Sequence, residues 1–367
     1  MSSVQNFQCE TIVFGKGIGE SIIVRLSKNE WMIIDSCFND IKNPAALDYL
    51  KERGVELSEV KLVVISHFHD DHIKGLSEII EECQQAKIVI SAALNTAEFR
   101  AYINALSSNG EEMAKTKEIN KIMDFLPSLI EQQRLSFAKR DCILFRSVSG
   151  IEVRSLSPCD NDIAYSDLDF ANSLKIAANT KEIVSSAKLV NPNHYCVVTR
   201  VSSPASGNNE ILLGADLEVS KGAGWESVCD AIDSPKPNKI GLFKLPHHGS
   251  ETGFHERTWI ELIKEKPISV LTTYDRSSLP RKEMIDLYKE RSSHIYCTSE
   301  PKSLKESGNN INKSDRSNVT SAVEKILSKM GSTVKFSNSV GKFGYVSIND
   351  CLTAEPKVTL SHAATAL

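Results

Sequence analysis

The densest run of chemically useful side chains in the 367-residue chain is Ser66-His67-Phe68-His69-Asp70-Asp71-His72. It follows an apolar run, Lys61 to Ile65, of the kind found in a buried strand, and precedes a helix expected from about Ile73 to Cys83. In extended backbone, residues two apart face the same way, so His67 and His69 can hold one ion together. Where the chain turns into the helix, Asp71 and His72 can project over the same mouth and hold a second ion. Imidazole and carboxylate ligands without a thiolate suit zinc, and also manganese or iron. Taken singly, a histidine here would mean little, and Asp70 or Asp71 could merely cap the helix. Three histidines and two aspartates at one strand end are harder to explain as stability features, because burying them unpaired is costly. A second concentration is the adjacent pair His247-His248, after the apolar stretch Ile240 to Leu245.

The elements that must position these groups alternate between strand and helix. Three short β-type runs, Glu10 to Phe14, Ser21 to Leu26 and Trp31 to Ile34, are broken by Gly15, Gly17 and Gly19 and by Lys28-Asn-Glu, which fits antiparallel strands. A helix is expected over Pro44 to Arg53, a buried strand over Lys87 to Ser91, and a helical insert over about 94–135, either covering a cleft or serving as scaffold. Hairpins are expected for Ile143 to Val148 with Ile151 to Leu156, and for Tyr195 to Val201 with Glu210 to Leu213. Beyond these, helices near Gly224 to Ile232, Glu256 to Lys264 and Pro280 to Arg291 alternate with strands Ile240 to Leu245, Ile268 to Thr273 and Ile295 to Thr298. Residues 299–318 are polar and read as a mobile loop, followed by an amphipathic helix Val319 to Met330 and strand signals at Thr333 to Phe336 and Phe343 to Ile348. The pattern predicts one α/β domain over 1–350, built as a duplicated layered body, with 351–367 as a C-terminal tail.

Composition bounds the function. At 41% hydrophobic and 25% charged, with 43 basic against 47 acidic side chains, the chain can build a full core and is not basic all over. Local basic residues do exist, at Arg134, Lys139, Arg140 and Arg146 and at Lys264, Lys266, Arg276, Arg281 and Lys282, so a nucleic-acid groove stays open beside the plainer reading of solvated faces. No apolar stretch is long enough to span a bilayer, and the start has no basic segment followed by an apolar run. The nine cysteines are scattered and contain no Cys-x-x-Cys pair, which suits a reducing cytosol, so a cytoplasmic location without membrane association is expected.

The motif His67-x-His69-x-Asp71-His72 after an apolar strand resembles the metallo-β-lactamase-fold hydrolases, which implies a four-layer αββα sandwich. Four further features agree in order: Asp35 ending a strand, His194 before a strand, Asp216 after Leu212-Leu-Gly-Ala, and His247-His248 after Leu242-Phe-Lys-Leu-Pro. Leu245-Pro-His-His-Gly-Ser250 with Asp216-Leu-Glu218 is more discriminating; it resembles the soluble hydrolase domain of bacterial competence (DNA-uptake) proteins, and also phosphorylcholine esterases, both of which act on phosphodiesters. The resemblance covers about residues 8–300. Competence-type domains usually carry Asn-x-Asn-Ser where this chain has Asn191-Pro-Asn193-His194, and Gly-Asp where it has Ala215-Asp216.

The resemblance implies two divalent ions, zinc first with manganese or iron as alternatives. One would be held by His67, His69 and His194, the other by Asp71, His72 and His248, with Asp216 bridging both and Asp35 orienting the loop. Such a pair can activate a shared water and clamp attacking and leaving oxygens. Asp71, His247 and Glu218 are the expected catalytic residues: Asp71 orients water, His247 faces the scissile phosphate, and Glu218 fixes a histidine tautomer. The sequence alone does not separate the roles of His247 and His248. The expected activity is a phosphodiesterase or nuclease acting on DNA or another nucleic acid. The alternatives are a small phosphodiester, a lactone, thioester or lactam, and a regulatory member that has lost activity.

Overall fold

Alternation along the central strands decides the layering. The computed structural model of the protein describes residues 8–95, 99, 101, 113–176, 192–203, 209–230, 240–307 and 343–367. In the strand Val60–Ile65, Leu62 and Val64 face one core while Val63 and Ile65 face another, and all four are fully buried. A strand apolar on both faces must be covered on both, which requires a sheet between a second sheet and a helix layer.

The first six strands are β1 (Glu10–Phe14), β2 (Ser21–Ser27), β3 (Glu30–Ile34), β4 (Val60–Ile65), β5 (Lys87–Ser91) and β6 (Leu135–Ala138). Next come β7 (Cys142–Arg146), β8 (Glu152–Ser155), β9 (Thr199–Ser202), β10 (Glu210–Leu213), the two-residue β11 (Val219–Ser220), β12 (Ile240–Lys244), β13 (Ile263–Leu271) and β14 (His294–Cys297). The last are β15 (Tyr345–Asn349), β16 (Lys357–Ser361) and β17 (Thr365–Ala366). They form two eight-stranded sheets, ordered β16-β15-β1-β2-β3-β4-β5-β6 and β17-β14-β13-β12-β10-β9-β8-β7. In each, an antiparallel hairpin region leads into parallel strands, β3 to β6 in the first and β10-β12-β13-β14 in the second.

Between the sheets lie Val13, Val24, Met32 and Val64 from the first and Val153, Val201, Leu213, Leu242 and Val270 from the second. The outer face of the first sheet is covered by α1 (Ala45–Glu52), the single turn α2 (Asp70–Ile73), α3 (Leu76–Glu82) and α4 (Met113–Glu131). After α5 (Asp160–Ile176), the helices α6 (Gly224–Cys229), α7 (Glu256–Glu261) and α8 (Lys282–Arg291) cover the second sheet through Trp225, Trp259 and Tyr288. The result is the αββα sandwich the motifs imply. Among the described residues, no helix is long and apolar enough to cross a membrane.

Several elements differ from expectation. Residues 351–367 are not a tail: β16 pairs with β15 at the edge of the first sheet, and β17 pairs with β14 at the edge of the second. In β16 and β17 most side chains are exposed and none is buried, so the apolar signal of a strand is weak there. The polar stretch from residue 299 contains a short helix, α9 (Lys302–Ser307), started by Pro301 and tied by the Ser303 hydroxyl donating to Pro280 O at 2.7 Å. Among the described side chains of helix α5 the buried positions are Asp162, Ser166 and Phe170, spaced by four, so the buried face is not an apolar stripe. Within the helical insert, Ile119, Ile122 and Leu129 of α4 pack into the first sheet's outer core, so this helix is scaffold. Most of the other expected insert helix, Ala101 to Leu106, and the expected elements at Val319 to Met330 and Thr333 to Phe336, lie outside the described residues.

Candidate metal centre

The chemistry sits at the carboxyl ends of the parallel strands. Asp35 follows β3, Ser66-His67 follows β4, Asp216 follows β10, His247-His248 follows β12 and Thr272 follows β13. In open parallel sheets this is the rim where loops diverge and leave a crevice. Here two such rims face each other, and the residues of both converge.

Three overlapping sets of side chains have ligand atoms within 4.8 Å of one another: Asp71, His72, Asp216 and His248; His67, His69 and Asp216; and Asp35, His67 and His72. His248 Nε2 lies 3.0 Å from Asp71 Oδ2 and 3.5 Å from Asp216 Oδ2, and His72 Nε2 lies 3.3 Å from Asp216 Oδ2. His69 Nδ1 lies 3.2 Å from Asp71 Oδ1. Except for the half-exposed His69, all these groups are buried.

Asp35 belongs to the third set by proximity, but its oxygens are already used. Oδ1 accepts from Ser66 N at 2.7 Å, and Oδ2 accepts from Ser66 Oγ at 2.5 Å and from His72 Nδ1 at 2.7 Å. A carboxylate has only acceptors, so His72 donates from Nδ1 and keeps the Nε2 lone pair for the centre. Ser66 spends its proton on Asp35, so its oxygen accepts from His67 Nδ1 at 2.9 Å, and the same tautomer follows for His67. Asp35 therefore orients two histidines, the role expected of it.

Two divalent cations fit the chemistry of this donor set. His67 Nε2, His69 Nδ1, Asp71 Oδ1, His72 Nε2 and both oxygens of Asp216 are buried and make no hydrogen bond of good geometry. Orphaned polar atoms are rare in a folded interior and costly, yet here six of them aim into one space. Electrostatics agree. Burial opposes charge on His72, but Asp216, Asp71 and Asp35 outweigh it and hold its pKa well above the ordinary value. Burial likewise opposes charge on His248, and the same two central carboxylates push its pKa up to about 9. Burial would raise Asp216, yet His72 and His248 hold it well below the usual carboxylate range. His67 is driven well below its ordinary value by burial and then by His72, against the pull of Asp216. The buried carboxylates thus favour positive charge in this cluster, which divalent cations would supply.

Backbone strain concentrates at the same rim. Asp35, Ala215, His247 and His248 all adopt left-handed φ, at 55°, 44°, 47° and 52°. Each costs a non-glycine residue about 1–2 kcal/mol, and such strain clusters where geometry serves function. Ala215, standing where the resembled family has glycine, carries that strain and keeps the turn: His247 N donates to Ala215 O at 3.0 Å.

His247 and His248 part company. His248 turns inward to Asp71 and Asp216, while His247, one-fifth exposed, turns toward a cleft of about 750 Å³. His247 Nδ1 lies 3.0 Å from Glu218 Oε1, 2.9 Å from Ser250 Oγ and 3.0 Å from Thr252 Oγ1, and its Nε2 lies 3.2 Å from Asn193 Nδ2. Burial raises the Glu218 carboxyl, but the hydrogen bonds and charge of His247, with Asn193 and Thr252, hold it below its ordinary value. Arg281, Phe254, Leu279 and Met284 also line the cleft.

His194 is not brought into any of these sets. Pro192–Tyr195 is a single 3-10 turn, so neighbouring side chains point about a third of a turn apart. Asn193 takes the direction of the cleft, with its Nδ2 at 3.4 Å from Glu218 Oε1 and 3.2 Å from His247 Nε2. Of the basic residues noted above, Arg134 is tied to the carbonyls of Ala86 and Cys83, and Arg146 to Glu152, away from the centre. The residues that sequence reasoning passed over are Ser66, Thr272, Glu20 and Lys244. Lys244 alone left a signal, as the one charge inside the buried strand Ile-Gly-Leu-Phe-Lys.

A family model described as the metallo-beta-lactamase superfamily matches residues 14–257. Among solved structures, similarity extends to the Rm3 metallo-beta-lactamase, at 11% identity over 66% of this chain and 77% of that one with a TM-score of 0.35. It extends also to the metallo-beta-lactamase SMB-1 bound to 2-mercaptoethanesulfonate, at 13% identity over 65% and 76% with a TM-score of 0.36. A third is the metallo-beta-lactamase fold protein YhfI from Bacillus subtilis, at 11% identity over 80% and 97% with a TM-score of 0.37. No curated protein sequence matches the chain.

Proposed function

The chain belongs to the metallo-beta-lactamase superfamily, and within that family of hydrolases we propose that it is a two-cation phosphodiesterase acting on DNA or another nucleic acid. The observation that carries this reading is the convergence of orphaned ligand atoms beside a histidine, His247, that is not one of them. One cation would be held by His67, His69 and Asp216, the other by Asp71, His72 and His248, with Asp216 between the two. Zinc suits the imidazole-rich set, and manganese or iron would also be accepted. When bound, such cations activate water and neutralise charge on a reacting phosphoryl group.

The chain's own residues supply the rest. Asp71 serves as ligand and as an acceptor that orients the attacking water. Glu218 lies against His247 Nδ1 and orients the ring, so that His247 would be the group moving a proton to or from a phosphoryl or leaving oxygen. Arg281, on the same cleft, offers a second positive partner. A phosphodiester carries negative charge before it reacts, which these groups can meet; a lactone or thioester brings none. The stretches Leu245-Pro-His-His-Gly-Ser250 and Asp216-Leu-Glu218, which resemble the competence-type hydrolase domains, support the same choice.

The test is a substrate panel with metal-loaded protein: bis-p-nitrophenyl phosphate, single- and double-stranded DNA, RNA, a thioester and a lactone. Cleavage of the phosphodiesters is expected; turnover of only the carbonyl substrates would overturn the proposal. A second reading, a small diester such as a cyclic nucleotide, is favoured by Glu251 and Glu283, which line the cleft beside Arg281 and would repel an extended polyanion. Nucleic-acid binding falls steeply as salt rises because counterions are released, whereas a small diester shows little dependence, so affinity against salt separates the two.

A further inference from the structure

Behind His248 runs a fully buried chain of polar groups that the proposed reaction does not use. His248 Nδ1 lies 2.8 Å from Thr272 Oγ1, and Thr272 donates to Glu20 Oε2 at 2.7 Å. Glu20 Oε1 is ion-paired with Lys244 Nζ at 2.5 Å, and Lys244 also donates to Ala215 O at 3.1 Å. The backbone N–H of Glu20 donates to Asp71 O at 2.9 Å. His248, Thr272, Glu20 and Lys244 are each no more than 1% exposed. Glu20 comes from the loop before β2 in the first sheet, whereas Thr272 directly follows β13 and Lys244 ends β12 in the second. The chain therefore ties both rims together and reaches the backbone of Asp71 and of Ala215, the residue before Asp216.

We propose that Glu20, Thr272 and Lys244 form a cross-sheet positioning strut that fixes the tautomer and direction of His248 for cation binding. The direction follows from the inventory of donors. Lys244 has only donors and Glu20, paired to it, offers only acceptors, so the hydroxyl proton of Thr272 must point at Glu20. The oxygen of Thr272 is then left to accept, and His248 must donate from Nδ1, which leaves Nε2 facing Asp71 and Asp216. Lys244 balances the charge of Glu20, which would otherwise be buried alone, and its second bond holds the strained Ala215 turn ahead of Asp216. Partners of this kind change metal affinity by about 10–100-fold when removed. The inference rests on the proposed two-cation centre.

The experiment uses the full chain with Thr272→Val, Thr272→Ser and the paired Glu20→Gln/Lys244→Met substitution, which removes both charges together. Zinc affinity is measured by competition with a chromogenic chelator, circular dichroism reports folding, and nitrogen-15 spectra report the ring of His248. Thr272→Val is expected to bind the second zinc about 10–100-fold more weakly and to shift the Nδ1 proton of His248 out of its hydrogen-bonded position. Thr272→Ser should restore both, and the double variant should weaken zinc by about tenfold while remaining folded. Unchanged affinity in folded Thr272→Val or in the double variant would overturn the strut. If the wild type took up no divalent ion, the two-cation reading would fail, and the ring spectra would still decide: a His248 Nδ1 proton indifferent to Thr272 refutes the inference.

Discussion

The two rims of the centre solve one problem at different range. On the first, Asp35 holds His72 directly and His67 through Ser66, all within the loops after β3 and β4 of a single sheet. On the second, His248 is held through Thr272 by Glu20, a residue 252 positions from Thr272 and rooted in the opposite sheet. In both, a buried acid fixes a histidine tautomer, once directly and otherwise across a hydroxyl. The first arrangement is complete as soon as neighbouring parallel strands pair. The second exists only when the sheets close on one another, which makes the proposed second cation site a reporter of how the sandwich is assembled.

The largest expected effect tests the local rim. Asp35→Asn removes the shared acceptor of two histidines, so metal affinity should drop about 10²-fold or more and hydrolysis should vanish with it. Asp35 accepts from Ser66 N, Ser66 Oγ and His72 Nδ1, so the amide leaves a buried donor unpaired and the fold should also lose stability, by about 1–3 kcal/mol for each donor stranded. Elemental analysis together with a thermal melt checks this; retained metal would break the symmetry drawn between the rims. A smaller effect is expected from Glu218→Gln, which touches His247, Asn193 and Thr252, none of them in the ligand sets. Its turnover of bis-p-nitrophenyl phosphate should slow by roughly 10–100-fold with metal content unchanged, since general acid–base help is worth about that or more. The smallest belongs to His194→Ala: because its imidazole joins no ligand set, metal content and stability should stay within about 0.5 kcal/mol of wild type. Loss of one ion in that variant would return His194 to the centre.

Legibility tracked how strongly a residue's type betrays its environment. β4 and β5 were plain because runs of buried Val, Ile and Leu have few other uses. Helix α5 was not, because Asp162 and Ser166 occupy its buried stripe; Asp162 is satisfied there by accepting from Cys159 N and Gly224 N at 2.8 Å each. The terminal strands β16 and β17 were missed because edge strands bury too little to leave an alternating pattern. Within the centre, His67, His69, Asp71 and His72 announced themselves by spacing, whereas Asp216 and His248 needed the family resemblance. His194 joins none of the three ligand sets, and the turn that carries it aims its neighbour Asn193 at the cleft, which the sequence pattern does not show. Ser66 and Thr272 gave no warning, since a hydroxyl at a strand end is unremarkable until its partner is known.

What the sequence determined by itself is local: strands apolar on both faces, a strand-to-helix turn carrying five titratable groups, and hence a layered body with imidazoles and carboxylates at one rim. Those follow from side-chain period and burial cost, which act over a few residues. Only the tertiary structure decided that His248 meets Asp71 across 177 positions, that His247 turns away, and that Glu20 reaches Thr272. Such pairings are set by how two sheets register when their inner faces exclude water, and that registration is written in the whole shared core rather than in any one stretch of chain.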